Sequence, residues 1–147
     1  QFFARLTWLS SKQVLDIEGL GESGWRTLWQ AHHFEHLFSW LLLTQAQMQA
    51  TPGFSSARGL ALWHRFNLVR EKPFIRWLMA LGVPLTQASL KAMGNVTWQT
   101  LSERNAKDWQ SLPGTGERKA RQIVAFIHDP GVAGLASWLG KQGLPGF

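Results

Sequence analysis

Apolar residues recur in this chain at intervals of three and four, in short runs punctuated by glycine and proline. That is the period of helices that bury one face. Phe2, Phe3, Leu6 and Leu9 predict a helix over residues 2–14, and Trp25 to about Gln30 a second. Phe34 to Leu42 reads as a short apolar helix. Thr44-Gln45-Ala46-Gln47 has capping-box spacing and starts the next one. A turn at Thr51-Pro52-Gly53-Phe54-Ser55 leads into a helix that runs to about Val69, with Leu60, Trp63 and Phe66 facing inward. Pro73 opens a helix through Phe74, Trp77, Leu78 and Leu81, and Thr86 caps a segment reaching Met93. Thr97 starts one short helix, and Ala106 to Gln110 forms another. The last two helices run from the Leu112 turn to Ile127, and from Val132 to about Lys141. No stretch alternates apolar and polar residues as a half-buried strand does. The predicted fold class is all-α.

The turns carry the chemistry. Glycines enter helices near positions 19, 53, 82 and 114, a spacing of about 29 to 34 residues, as expected of one repeated helix–turn–helix unit. Leu15-Asp16-Ile17-Glu18-Gly19-Leu20-Gly21 and Gln110-Ser111-Leu112-Pro113-Gly114-Thr115-Gly116 share a register, with two glycines two residues apart. Glycine admits positive φ and leaves backbone N–H groups bare. A helix start adds unpaired N–H groups and the positive end of the helix dipole. Together they suit a phosphate. Arg118 and Lys119 bring cations into a first turn where the dipole alone favours acids, a broken local rule that points to function. The residues expected to contact an anionic ligand are Gly19, Leu20 and Gly21; Gly53, Ser55 and Arg58; Gly82; and Gly114, Thr115, Gly116, Arg118, Lys119 and Arg121. Glu18 and Glu22 flank the first turn and weaken its pull.

Composition sharpens this picture. The 147 residues make one domain, or two small halves sharing a core. The net charge of +6 favours an anionic partner, nucleic acid first. Residues 1–50 hold three Lys or Arg against four Asp or Glu, and residues 51–147 hold twelve against five. The electrostatic footprint is therefore expected on the later part. There is no cysteine, hence no disulfide and no Cys-ligated zinc, which fits a reducing cytosol. No apolar run approaches membrane-spanning length, so no membrane partner is expected. Gln1 in place of an initiating Met suggests a piece cut from a longer chain.

Leu112-Pro113-Gly114-Thr115-Gly116-Glu117-Arg118-Lys119-Ala120 resembles the helix-hairpin-helix consensus. Four such units, near 15–30, 49–66, 78–93 and 110–127, resemble the C-terminal region of bacterial NAD-dependent DNA ligases. Ser11-Lys12-Gln13-Val14-Leu15-Asp16-Ile17-Glu18-Gly19-Leu20-Gly21 looks like their first hairpin, and Phe74-Ile75-Arg76-Trp77-Leu78-Met79-Ala80-Leu81-Gly82-Val83 like their third. The similarity covers essentially the whole chain, which is similar in particular to the shorter DNA ligase B branch. It implies tandem hairpins packed as one compact helical domain, holding double-stranded or nicked DNA through its minor groove. It also implies a monomeric, cytoplasmic bacterial fragment that packs against other domains of a parent ligase. NAD and Mg would belong to that parent, with no cofactor held by this fragment. Two hairpins depart from the pattern. Ser55 stands where a second glycine is expected, and Pro84 and Thr86 replace an open third turn. No nucleophilic lysine motif is present, and Gly19-Leu20-Gly21 lacks the third glycine and the strand context of a dinucleotide fold.

Several features have plainer readings. His32 and His36 are spaced to share a helix face, but no third metal ligand is apparent, so a solvated cluster is expected. The nine tryptophans read as core, with Trp98 and Trp109 the expected exposed ones. Of the basic run Arg58, Arg65, Arg70, Lys72 and Arg76, Arg58 is the one expected to touch DNA. Two alternatives to the ligase reading stand. Some DNA glycosylases carry the same hairpin, with a lysine just after the second glycine and an aspartate a little under twenty residues on. Here Lys119 stands one place too far, Ser137 falls near the expected aspartate, and Asp129 is nearer the turn. The other is a helical protein-interaction module.

Overall fold

The computed structural model describes residues 1–147, the side chain of Ser56 excepted. The chain is all-α, with no β-strand among the described residues. The helices are α1 (Phe2–Leu9), α2 (Glu22–His32), α3 (Gln45–Gln49), α4 (Ser56–Leu68), α5 (Phe74–Leu81), α6 (Gln87–Ala92), α7 (Trp98–Glu103), α8 (Ala106–Gln110), α9 (Glu117–His128) and α10 (Pro130–Lys141). Short 3-10 turns lie at Ser39–Leu42 and Val69–Glu71. The chain divides into two compact units, Gln1–Lys72 and Pro73–Phe147.

In the first unit α1 packs on α2 and α3 on α4. Its centre is aromatic. Trp25 stacks on Phe66 with ring centroids 5.8 Å apart, and Trp40 lies 4.9 Å from the same ring. Leu6, Leu9, Leu28 and Met48 of the same unit are fully buried. Such ring pairs add about 0.5–1.5 kcal/mol each beyond the area they bury.

Three sequence expectations are corrected here. The helix expected over 2–14 stops at Leu9, because Ser10 and Ser11 turn their hydroxyls back to the Thr7 and Trp8 carbonyls and the chain folds on itself. Ile17 N–H then donates to the Ser10 carbonyl, and Asp16 takes φ +54. The apolar run 34–42 is no α-helix. His33 ends α2 at φ +51, the Ser39 hydroxyl accepts from the Glu35 and His36 N–H groups, and the His36 Nδ1 accepts from Phe38 N–H. Side chains thus satisfy backbone donors that a helix would have used. On α4 the buried stripe is Gly59, Leu62 and Phe66, while Leu60 and Trp63 are only half-buried.

In the second unit α9 packs against α7, α8 and α10, and α5 against α6. Trp77, Trp109, Leu101, Ile123 and Leu139 are fully or almost fully buried. Trp109, expected at the surface, is core: the Arg104 guanidinium lies 4.7 Å from its ring and shields it. Trp98 is half-buried against Phe147. The tail folds back, with Trp98 N–H donating to the Gly146 carbonyl at 2.7 Å and Phe147 set edge-on to Phe74 at 4.9 Å.

The two units contain one local structure twice, at a constant offset along the chain. α3 and α8 are both five residues long, and each opens with a capping box, Thr44 with Gln47 and Asn105 with Asp108. Each carries a fully buried large side chain, Met48 or Trp109, whose carbonyl accepts the N–H three residues on. The turns Thr51-Pro52-Gly53-Phe54 and Leu112-Pro113-Gly114-Thr115 follow, closed by Phe54 N–H to Thr51 O at 2.9 Å and Thr115 N–H to Leu112 O at 3.2 Å. Gly53 has φ +85 and Gly114 φ +76. Proline second and positive-φ glycine third is the type II pattern. Ser55 and Gly116 are the extended residues that lead into α4 and α9. Leu62 and Phe66 then match Ile123 and Ile127 as buried positions.

Candidate functional site

Each helix start is either closed by a side chain or left open. Gln1, Thr44, Thr86, Thr97, Asn105 and Asp129 cap α1, α3, α6, α7, α8 and α10. The residues before α2, α4, α5 and α9 (Gly21, Ser55, Pro73 and Gly116) make no side-chain cap bond. Three of those four starts follow the glycine turns at 19, 53 and 114. At α9 the N–H groups of Gly116, Glu117, Arg118 and Lys119 have no acceptor among the described residues, and at α2 the same holds for Gly21, Glu22, Ser23 and Gly24. Most helix starts in this chain are satisfied by a side chain, so three open starts behind three glycine turns form a pattern.

Around α9, Gly114, Gly116, Arg118 and Arg121 are exposed, Lys119 is half-buried, and Thr115 is buried with its N–H spent inside the turn. Arg121 pairs with Glu117 at 2.6 Å; both are well exposed, so the pair adds little stability. Arg118, Arg121, Gln122 and Ala125 line a shallow depression along the outer face of α9. The exposed Pro113 shares a small cleft with Thr86, Ala88, Ser89 and Ala92, which sets α6 beside the turn.

The third glycine is different. Gly82, at φ +92, ends α5, and its N–H donates back to Met79 O at 3.0 Å while Val83 N–H reaches Leu78 O. It is a helix terminator, as Gly143 is after α10. The following helix α6 starts only at Gln87 and is capped by the Thr86 hydroxyl, which accepts from Ser89 N–H. The Gly82 N–H is thus spent, and at the start of α6 the Ser89 N–H is taken by the Thr86 hydroxyl.

In the first unit the turns at 19 and 53 lie on one face. Leu20 packs against Gly24, where an added methyl would come within 2.7 Å of the Leu20 side chain, 3.7 Å of Phe54 and 3.9 Å of the Arg58 guanidinium. Arg58 Nη1 donates to the Gly53 carbonyl at 3.1 Å, with its guanidinium 4.4 Å from the Phe54 ring. Arg65, two turns along α4, donates from Nη1 to the Glu18 carbonyl at 3.1 Å. Arg26 lies 3.7 Å from Glu22, so one of the two acids flanking the first turn has a cation beside it.

His32 and His36, spaced so that they could share a helix face, do not do so, because α2 ends between them at His33. His32 Nε2 is 2.7 Å from the Thr51 hydroxyl, which itself donates to Gln47 O, so the imidazole is the donor. Burial lowers the pKa of both His32 and His36. No three acidic or histidine side chains converge as metal ligands among the described residues. The Arg65 bond to the Glu18 carbonyl, spanning 47 residues, was the feature least readable from sequence. No family model matches the chain.

Proposed function

We propose that this chain is a tandem helix-hairpin-helix region that holds double-stranded DNA by its phosphates without reading base sequence. In this reading it is the non-catalytic C-terminal part of a bacterial, cytoplasmic NAD-dependent DNA ligase and acts as a monomer. The observation that carries the proposal is the repeated turn at Gly53 and Gly114, followed each time by a helix start with no side-chain cap. Backbone N–H groups aimed at phosphates give affinity and register, and no sequence information. The role in ligation is to hold both sides of a nick in line. The turns at 19, 53 and 114 make the contacts; the capped α6 and the spent N–H of Gly82 make that turn scaffold. The resemblance to the ligase family implies NAD and Mg for the parent. Both groups belong to other parts of the proposed parent.

The test is anisotropy of labelled intact and nicked duplexes at two salt concentrations, against a Gly114→Val plus Gly116→Val variant shown by circular dichroism to be folded. Binding should weaken steeply with salt, because phosphate contacts release counterions, and should be lost in the variant. Absence of binding at low salt refutes the proposal. So does a sequence preference of more than about tenfold at fixed salt. A protein-interaction role is the second reading. It rests on the exposed Trp8, Trp29, Leu42 and Leu68, and gains if duplex mobility is unchanged at low salt.

A further inference from the structure

We infer that Arg65 binds a DNA phosphate at the first glycine turn, as the cation that offsets the acids flanking it. This rests on the duplex-binding reading above. Gly19 has φ +90, and a methyl group added to it would lie 2.9 Å from Arg65 Nη1. The guanidinium is therefore laid against the bare face of the turn, in the space that glycine leaves. Its hydrogen bond to the Glu18 carbonyl uses a single one of its five donors. No carboxylate pairs with it among the described residues. A carbonyl pointing toward a phosphate repels it, and a guanidinium bonded to that carbonyl reverses the local sign while keeping donors for the phosphate.

Arg58 and Arg65 stand seven residues apart on α4, which is two turns and hence the same face. Each bonds the carbonyl of a different glycine turn, Arg58 that of Gly53 and Arg65 that of Glu18. The two turns of this unit thus receive one guanidinium each from a single helix. Glu22 is met separately by Arg26. The first turn, acidic in sequence, becomes a place where an anion gains attraction.

The experiment compares the whole chain with Arg65→Gln and Arg65→Lys variants, titrating labelled duplex over a range of salt concentrations, with folding followed by circular dichroism and thermal unfolding. Arg65→Gln should bind about tenfold more weakly near 0.1 M salt, and its slope of log affinity against log salt should be shallower by about 0.9, the loss of one phosphate contact. Arg65→Lys, which keeps the charge, should retain the slope. If the wild-type chain does not bind duplex, the duplex-binding reading itself fails. If the wild type binds and Arg65→Gln keeps the full slope, at whatever affinity, Arg65 only holds the loop and the inference is overturned. Should Arg65→Gln unfold, Arg65→Met, which keeps the apolar stem and removes the charge, takes its place: a slope equal to that of the wild type overturns the inference.

Discussion

Gly59 on α4 passes so close to Phe54 that a methyl carbon on its Cα would sit 1.8 Å from the Phe54 carbonyl oxygen. The corresponding residue on α9 is Ala120, fully buried with its methyl in place. Glycine inside a helix ordinarily costs up to about 1 kcal/mol against alanine, and here the sign reverses. Backbone, not a movable side chain, occupies the space. Gly59→Ala should destabilise the first unit by about 3 kcal/mol, read as a lowered urea midpoint. Ala120→Gly should cost only about 1–2 kcal/mol, the lost methyl plus the propensity change. A stabilised Gly59→Ala variant would refute the close approach.

Acid should loosen the first unit. His32 and His36 both have pKa values lowered from 6.5, chiefly by burial. At His32 a hydrogen bond to the Gln47 backbone partly opposes the shift and His33 adds repulsion, while Glu35 partly opposes the shift at His36. In the unfolded chain these rings take up protons near 6.5, before the folded chain does. Their contribution is therefore full above pH 6.5 and is lost as pH falls through the lower folded values. Protonating His36 Nδ1 also removes the acceptor for Phe38 N–H. Urea midpoints followed by tryptophan emission should fall between pH 7.5 and 5.5, and His36→Asn should flatten that fall. A midpoint independent of pH would contradict the lowered pKa values of these two half-buried rings.

The tail of the second unit is set by one glycine. Gly146 has φ +92, and a methyl group there would lie 2.4 Å from the Phe74 ring. Gly146→Ala should cost about 1–3 kcal/mol through strain and overpacking. It should also release Phe147 from between Phe74 and Trp98, so the emission of the half-buried Trp98 should shift to longer wavelength. Unchanged emission would show that the tail does not depend on that glycine.

Thr86 separates scaffold from contact. Thr86→Ala removes the hydroxyl that accepts from Ser89 N–H and should cost about 1 kcal/mol. Under the duplex-binding proposal it should leave DNA affinity unchanged, since the Gly82 N–H is spent within its own turn and that turn is scaffold. A loss of affinity at unchanged stability would put the third turn in contact with DNA.

Local chemistry made part of this fold readable. The capping box at Thr44 and Gln47, the Thr86 cap and the limits of α8 follow from residues within one turn of each other. The run 34–42 did not, because its helical period competes with side-chain bonds from Ser39 and His36 that periodicity ignores. Trp109 was misplaced for a related reason: its neighbours in sequence are polar, and its burial comes from α9 and from Arg104. The glycine turns were visible as candidates, but what distinguishes Gly82 from Gly114 is where their N–H groups go. Arg65 was one cation in a basic run. Its bond to Glu18 spans 47 residues, and no local signal announces it.

The repeated structure also has a bearing on how the chain finds its partners while folding. Two similarly capped five-residue helices and two turns of one type offer each other the wrong mate. Were α3 and its turn to settle on α9, the Ala120 methyl would fall where the Phe54 carbonyl tolerates only hydrogen. One missing carbon at position 59 thus lets α3 recognise its own helix and makes α9 a poor substitute.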